Sequence, residues 1–294
     1  MHGVKKAFWA LCLLVAMLPK LACADLTIHF LDVGQGDAAI VQCDGETMII
    51  DGGPGKASSF IYAYVRNTLR LKTLDYVVAT HPHEDHVGGI AAVLNAVPVD
   101  LILSPILSWE TRAFDSLVKY AEMQGTPIII PETGEVLSLG SATCTILHCW
   151  PDAWDTNDMS ICLRIDYGDT SFLFTGDAEY MAEYIMLDSG LALSADVLKV
   201  GHHGSKTSST VEFLNAVSPK FAVISCGKGN SYGHPHEITL ESLKNLDVQL
   251  YRTDLQGTIT CKSDGKAIVF STERNAAADV FSPPNTPEVL YDEN

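Results

Sequence analysis

Between residues 26 and 50 the chain alternates, or runs apolar, over three short lengths. Residues 26–31, 38–42 and 47–50 are broken by Gly34-Gln35-Gly36 and Asp44-Gly45, a pattern that predicts three antiparallel strands joined by tight turns. Apolar positions then fall at helical spacing through Phe60, Tyr64 and Leu69, with Ser58 or Ser59 as the N-cap, predicting a helix over 58–69. A strand follows at 76–79, a helix from His86 through Val97, a strand at 101–103, a helix at 112–123 and a strand at 128–130. The second half has the same style without repeating the sequence. Strands are predicted at 143–147, 161–166, 172–175, 197–200, 221–224, 249–251, 258–261 and 267–270, and helices at 178–187, 208–217 and 240–246. Many strands with helices interleaved in both halves imply two packed sheets covered by helices, a mixed α/β plan. With no Pro/Gly/Ser-rich linker, residues 25–271 read as one domain. Residues 272–294, carrying Pro283, Pro284 and Pro287 and few apolar side chains, read as a flexible C-terminal tail.

The first 24 residues follow a different rule. Lys5 and Lys6, an apolar stretch over 7–18 and the small-residue run Ala22-Cys23-Ala24 predict an export signal cleaved before Asp25. Lys20 sits where a lipoprotein signal carries an apolar residue, which disfavours lipid attachment at Cys23. No later stretch approaches the length needed to span a bilayer, so the mature chain is expected to be soluble and secreted or extracytoplasmic. The formal charge is −17, and removing the signal takes away three lysines and no acid. Such a field repels polyanions. There is no basic stripe of the kind duplex-binding proteins carry, although Lys199, Lys206 and Lys228 could offset the field near a site. Strong duplex DNA binding is therefore not expected. The six cysteines after the signal are Cys43, Cys144, Cys149, Cys162, Cys226 and Cys261, most of them inside apolar strand-like runs. They read equally as small buried hydrophobes or as one or two disulfides.

The chemistry concentrates after the strand at 76–79. His81, His83, Asp85 and His86 crowd into the run Thr80-His81-Pro82-His83-Glu84-Asp85-His86, and imidazole with carboxylate is the donor set of zinc, manganese or iron. Gly176-Asp177 and Gly201-His202-His203-Gly204-Ser205 follow two later strands. Ligands at strand ends are held rigidly while the following loop leaves room for substrate, and glycines allow close approach of backbone to a ligand. Two dications held close together lower the pKa of a shared water and polarise a phosphoryl or carbonyl oxygen for attack.

Asp32, Asp37 and Asp51 stand where carboxylates could orient imidazoles or simply cap turns, and Asp51 is favoured for the first role. Asn157-Asp158-Met159-Ser160 and Tyr232-Gly233-His234-Pro235-His236 precede a strand and a helix and resemble segments near the site mouth of a known family, which makes them candidates for substrate recognition. His234 and His236 could bind a phosphate or protonate a leaving oxygen, or else cap the helix.

Taken in order, Phe30-Leu31-Asp32-Val33-Gly34-Gln35-Gly36-Asp37, Ile50-Asp51-Gly52-Gly53, the His81 to His86 motif, Thr175-Gly176-Asp177, His202-His203-Gly204-Ser205 and Tyr232-Gly233-His234-Pro235-His236 resemble the metallo-β-lactamase superfamily. Within it they are most similar to the hydrolase domain of ComEC-like competence proteins. The resemblance covers about residues 26–270 and implies an αββα sandwich with two divalent metal ions, zinc or manganese, at one edge. By it His81 and His83 bind one metal, Asp85 and His86 the second, Asp177 bridges both, and His202 completes the second site with His203 as the alternative. The two histidines are adjacent on what reads as extended chain, so one should face the metals and the other be left to contact substrate. Asp85, His203, His234 and His236 are the candidate catalytic groups. His148, in a poor match to a further family histidine, is not assigned.

The expected activity is hydrolysis of phosphodiester bonds in a small-molecule or short polymeric substrate. Hydrolysis of lactone, lactam or other acyl substrates, and a non-catalytic metal-stabilised envelope module, are the alternatives. The competence-type motif set disfavours a lactamase, and the complete ligand set disfavours the silent module.

Overall fold

The computed structural model describes residues 25–284. The expected signal at 1–24 and residues 285–294 lie outside the described residues. Chain order runs β1 (Leu26–Phe30), β2 (Ala39–Cys43), β3 (Glu46–Ile50), β4 (Leu74–Val78), β5 (Val99–Leu103) and β6 (Ile128–Ile129). Next come β7 (Val136–Leu139), β8 (Ala142–His148), β9 (Cys162–Tyr167), β10 (Thr170–Phe174), β11 (Val197–Lys199), β12 (Phe221–Ile224) and β13 (Gln249–Arg252). The last two strands, β14 (Ile259–Ser263) and β15 (Ile268–Thr272), return to the first sheet, whose order is β15-β14-β1-β2-β3-β4-β5-β6. The second sheet is β13-β12-β11-β10-β9-β8-β7. Each sheet is antiparallel at one side and parallel at the other, through β3-β4-β5-β6 in the first and β10-β11-β12-β13 in the second. The three N-terminal strands pair antiparallel as the alternation predicts.

Apolar side chains sort into three clusters, and these define the layers. One lies between the sheets, where Phe30 stacks on Phe174 with ring centres 5.8 Å apart. A second packs α1 (Ser58–Ala63), α3 (Ile90–Ala96) and α4 (Arg112–Gln124) onto the outer face of the first sheet. The third packs α5 (Tyr180–Asp188), α6 (Val211–Val217) and α7 (Glu237–Asn245) onto the second. This is an αββα sandwich, in which burying each large core side chain contributes roughly 1.5–3 kcal/mol. The Ser58 or Ser59 cap expected for the first helix is not made, since α1 begins after Ala57 with no side-chain cap, whereas α4 is capped at both ends. The Thr111 hydroxyl accepts from the Phe114 amide at the start of α4, and Gly125 closes it in the left-handed region.

Four differences from the sequence reading have physical causes. The helix expected from His86 to Val97 is two pieces, α2 (Glu84–Val87) and α3, parted at Gly88-Gly89. Gly89 packs so closely on Gly52 that a Cβ there would meet the Gly52 carbonyl carbon at 3.0 Å, and Gly52 N donates to His86 O at 2.7 Å. The break thereby fastens the metal motif to the exit of β3. The helix expected over 58–69 ends in a π turn at Tyr64–Thr68. β7 escaped notice because only Leu139 of its four residues is buried. Residues 273–284, expected to be a flexible tail, are instead tied down. Buried Arg252 pairs with Asp254 at 2.7 Å and donates to the carbonyls of Val280 and Ser282, while Val280 and Phe281 pack on the third cluster. All six cysteines are free thiols, five of them buried. The buried-hydrophobe reading therefore holds over the disulfide one, and burial pushes the Cys144 thiol up to about 12.

Candidate metal centre

The site forms where strand ends from both sheets meet. β3 delivers Asp51, β4 delivers the His81 to His86 motif, β10 delivers Asp177, and β11 delivers His202 and His203. Gly176 makes the β10 exit possible. It sits at φ +53°, and a Cβ would meet Ser160 Oγ at 2.9 Å and Thr80 Cβ at 3.0 Å.

Asp177 is the centre of the constellation. Its Oδ2 lies 3.2 Å from His86 Nε2, 3.4 Å from His203 Nε2, 3.7 Å from His202 Nε2 and 3.8 Å from His81 Nε2. His203 Nε2 is also 3.2 Å from Asp85 Oδ2, and His81 Nε2 is 3.0 Å from His83 Nδ1. Two donors bound tetrahedrally to one cation at about 2.1 Å stand about 3.4 Å apart, which is the spacing seen. His86 Nε2, His203 Nε2 and Asp177 Oδ1 are buried without a hydrogen-bond partner. Buried polar atoms left unpaired in this way are costly, and here they converge on the same small space. The donor set fits divalent metal.

Without metal, protons do part of the same work. Burial opposes charge on His86, but the Asp177 and Asp51 carboxylates outweigh it and hold the imidazole well above its ordinary value. His203 behaves alike, with Asp177 and Asp37 as its partners. Burial would raise Asp177; His203 and His86 outweigh it and keep the carboxyl well below its usual range. His81 and His83 go the other way, burial lowering both.

Behind the donors lies a shell of buried polar groups. Asp51 accepts from Thr80 N and Thr80 Oγ1 at 2.8 Å each and meets His86 Nδ1 at 2.8 Å. Asp37 meets His203 Nδ1 at 3.1 Å and is itself paired with buried Lys199 at 2.7 Å. Asp32 does something else: it pairs with Arg274 at the surface and accepts from Gly34 N within its own turn.

A cavity of about 300 Å³ opens over Asp177, walled by His83, Asp85, Asn157, His202, Tyr232 and His234 among others. The family model described as the metallo-beta-lactamase superfamily matches residues 31–228. The chain belongs to that superfamily. Among proteins similar to this member, ComE operon protein 3 of Bacillus subtilis is 30% identical over 280 residues, which cover 89% of this chain and 35% of that protein. Competence protein ComA of Neisseria gonorrhoeae is 30% identical over 229 residues, covering 78% and 31%. The chain thus spans about a third of the length of the curated relatives it matches. In fold it is similar to the metallo-beta-lactamase fold protein YhfI from Bacillus subtilis, with TM-score 0.55 and 14% identity over 81% of this chain and all of that one. It is a ComEC-like member of this superfamily with a His/Asp donor set that fits divalent metal.

The superfamily scaffold does not bring every candidate residue to the cavity. His81, His83, Asp85, His86, Asp177 and His203 surround one space. His202 borders the same space from the wall, its Nε2 3.7 Å from Asp177 Oδ2 and its Nδ1 3.1 Å from Glu179. The pair is not extended chain: His202 and His203 take φ +47° and +55° in a tight turn, so the alternation argument fails. His203 is buried between Asp85 and Asp177 as a result, while His202 is partly exposed, and both line the cavity. His234 lines the cavity with a buried, unpartnered Nδ1, and burial with the neighbouring His203 and His202 lowers it to about 3. His236 does not reach the cavity. Its Nδ1 accepts from Lys206 N at 3.0 Å, and its side chain does not cap α7.

In the Asn157 to Ser160 segment only Asn157 faces the cavity. Asp158 accepts from Glu179 N and Ala182 N at the start of α5, and Ser160 Oγ accepts from Asp177 N at 3.1 Å. His148 is buried against Ser160 O and lies in none of the close His/Asp groups. Sequence reasoning missed Glu179 altogether and assigned Lys199 only a diffuse role. A lysine in the apolar run Val197-Leu198-Lys199-Val200 is the one signal that a buried partner existed.

Proposed function

We propose that the chain is an exported two-metal phosphodiesterase acting on a small-molecule or short polymeric substrate. His81 and His83 with Asp177 would hold one ion; Asp85, His86 and His203, sharing Asp177, would hold the other. The observation that carries this reading is the single buried carboxylate of Asp177 set between two donor groups under an open cavity walled by polar side chains. An acyl or lactam pocket would be expected to offer more apolar wall. When bound, the two dications would supply a nucleophile at neutral pH and charge stabilisation at a phosphoryl oxygen. Asp51 and Asp37 fix the ring orientation of His86 and His203 and raise their basicity as ligands. His202, steadied by Glu179, and His234 stand on the wall where a substrate's phosphoryl oxygens would lie. Zinc and manganese both suit this donor set. The acidic net charge favours short substrates over long duplexes. Among the described residues no helix is long and apolar enough to cross a membrane.

The test is hydrolysis of bis-(p-nitrophenyl) phosphate by the chain loaded with zinc or with manganese, beside Asp177→Asn. Turnover that falls to background in the variant, together with loss of bound metal, is expected. No turnover in protein holding about two ions per chain would sink the phosphodiesterase reading and favour an acyl or lactone substrate.

A further inference from the structure

Behind the metal centre lies a second, much smaller cavity of about 10 Å³. Its apolar walls include Phe30, Ala39 and Phe174 from the layer between the sheets, and its polar walls include Asp37, Asp51 and Lys199, all of them buried. None of the candidate metal donors lines it, and it shares no wall with the open cavity over Asp177. A space of this size admits one water molecule and nothing larger.

The polar groups around it belong to a ring with one break. Asp51 meets His86 at 2.8 Å, His86 meets Asp177 at 3.2 Å, Asp177 meets His203 at 3.4 Å and His203 meets Asp37 at 3.1 Å. Every step so far sets a carboxylate against an imidazole. The closing step does not: an oxygen of Asp37 and one of Asp51 lie within 4.8 Å of each other, acid against acid, with no protein donor bridging them among the described residues. Two buried carboxylates facing each other in this way are costly unless a donor stands between them. Both have acceptor capacity left, since an ionised carboxylate offers about four lone-pair sites. Lys199 is unfinished in the opposite sense. Its ammonium carries three donors; it donates to Val200 O at 2.9 Å and pairs with Asp37 Oδ2 at 2.7 Å, and no further acceptor is bonded to it among the described residues. Two acceptors and one donor around a single-water space are the complement of a water's own two donors and lone pairs.

We propose that one buried water occupies this cavity, donating to Asp37 and Asp51 and accepting from Lys199, so that the supports behind His86 and His203 act as one hydrogen-bonded unit. Three partners is the usual number for an internal water, and such waters are costly to remove. The water would serve whichever bond the metal centre cuts.

A crystal structure of the metal-loaded chain, fine enough to place waters, tests this directly. One peak is expected at about 2.7–3.0 Å from both carboxylates and from Lys199 Nζ. No peak there overturns the proposal, and so does a peak closer than about 2.6 Å to both carboxylates, which would be a metal ion. Two variants of Ala39 give a test in solution, read as metal affinity at His86 and His203 by competition with a chromophoric chelator. Ala39→Ser brings a hydroxyl into the cavity in place of the water and should hold metal within a few-fold of the unaltered chain. Ala39→Val expels the water without replacing its hydrogen bonds and should weaken metal about tenfold, the low end of the cost of disturbing such supports. A dry cavity gives the opposite order, with valine filling it and holding metal as well as alanine does while serine buries an unpaired hydroxyl; that order overturns the proposal. Should the valine variant not fold, the crystal structure and the serine variant still decide.

Discussion

The two donor groups that meet at Asp177 are unequally built. In the group of Asp85, His86 and His203, each imidazole is backed by a buried carboxylate, Asp51 at 2.8 Å and Asp37 at 3.1 Å, and Asp37 is further tied to Lys199. In the group of His81 and His83 no carboxylate among the described residues backs either ring. His81 Nδ1 has only the hydroxyls of Thr80 at 3.2 Å and Ser160 at 3.4 Å, and His83 is half exposed on the cavity wall. A carboxylate behind a ligating imidazole fixes its tautomer and raises its basicity far more than a hydroxyl does. The difference teaches that the first group is a rigid anchor and the second an open position, suited to exchange of ligands during turnover.

The largest effect should come from breaking the anchor at its base. Lys199 and Asp37 are both buried, so Lys199→Met leaves a carboxylate whose remaining cationic partners are His203 and, farther off, His86. The loss is expected to be about 3–5 kcal/mol of stability, the usual range for stranding one member of a buried pair, measured by denaturant unfolding of the metal-free chain. A loss under about 1 kcal/mol would mean that the anchor is not held from below.

Acidity separates the two groups next. In the metal-free chain the carboxylates around His86 and His203 hold them protonated well above their ordinary value, whereas burial lowers His81 and His83 below theirs. A metal ligand must be the neutral imidazole. Loading the anchor therefore expels protons, and its affinity should rise with pH by up to tenfold per unit for each proton released, levelling off above the raised values. Loading the open position should change little above about pH 6.5. The same pairs make a contribution to the stability of the metal-free fold that is full below about pH 6.5 and is lost as pH rises through the raised folded values. Calorimetric metal titrations in buffers of different ionisation enthalpy read both steps; equal proton release in the two would remove the distinction.

How much of this was legible in the chain depends on how locally each feature is encoded. His81, His83, Asp85, His86 and Asp177 could be read because a dense cluster and a glycine-aspartate strand exit announce themselves over a few residues. His203 could not be told from His202, because the choice turns on two left-handed residues whose conformation is set by Gly201 and Gly204 and by the bond from His202 N to Gly176 O at 3.1 Å. The Asp37–Lys199 pair joins positions far apart in sequence; Lys199 in its apolar run signals that a buried partner exists, but nothing local says that it is Asp37. The sandwich itself was legible from strand and helix periodicity. The docking of residues 273–284 was not, since it rests on backbone carbonyls reaching Arg252 and on two apolar side chains, Val280 and Phe281, too few to make a periodic pattern.

The smallest effects make the sharpest comparison, because they test the supports rather than the donors. Asp51→Asn removes the charge behind His86 while keeping its shape, and should weaken metal at the anchor by about 10- to 100-fold, the usual cost of losing such a support. Ser160→Ala removes one of two hydroxyls near His81 and should cost only a few-fold at the open position, since a neutral hydrogen bond contributes about 1 kcal/mol. Ser160 also accepts from Asp177 N, so some loss could reach the anchor through the shared carboxylate. Competition with a chromophoric chelator resolves the two steps. An Asp51→Asn loss confined to the tighter step, with a Ser160→Ala loss mainly in the weaker one, supports the unequal assignment. The reverse pattern would mean that the His81 and His83 group is the anchor and that hydroxyls serve as well as carboxylates behind a ligand.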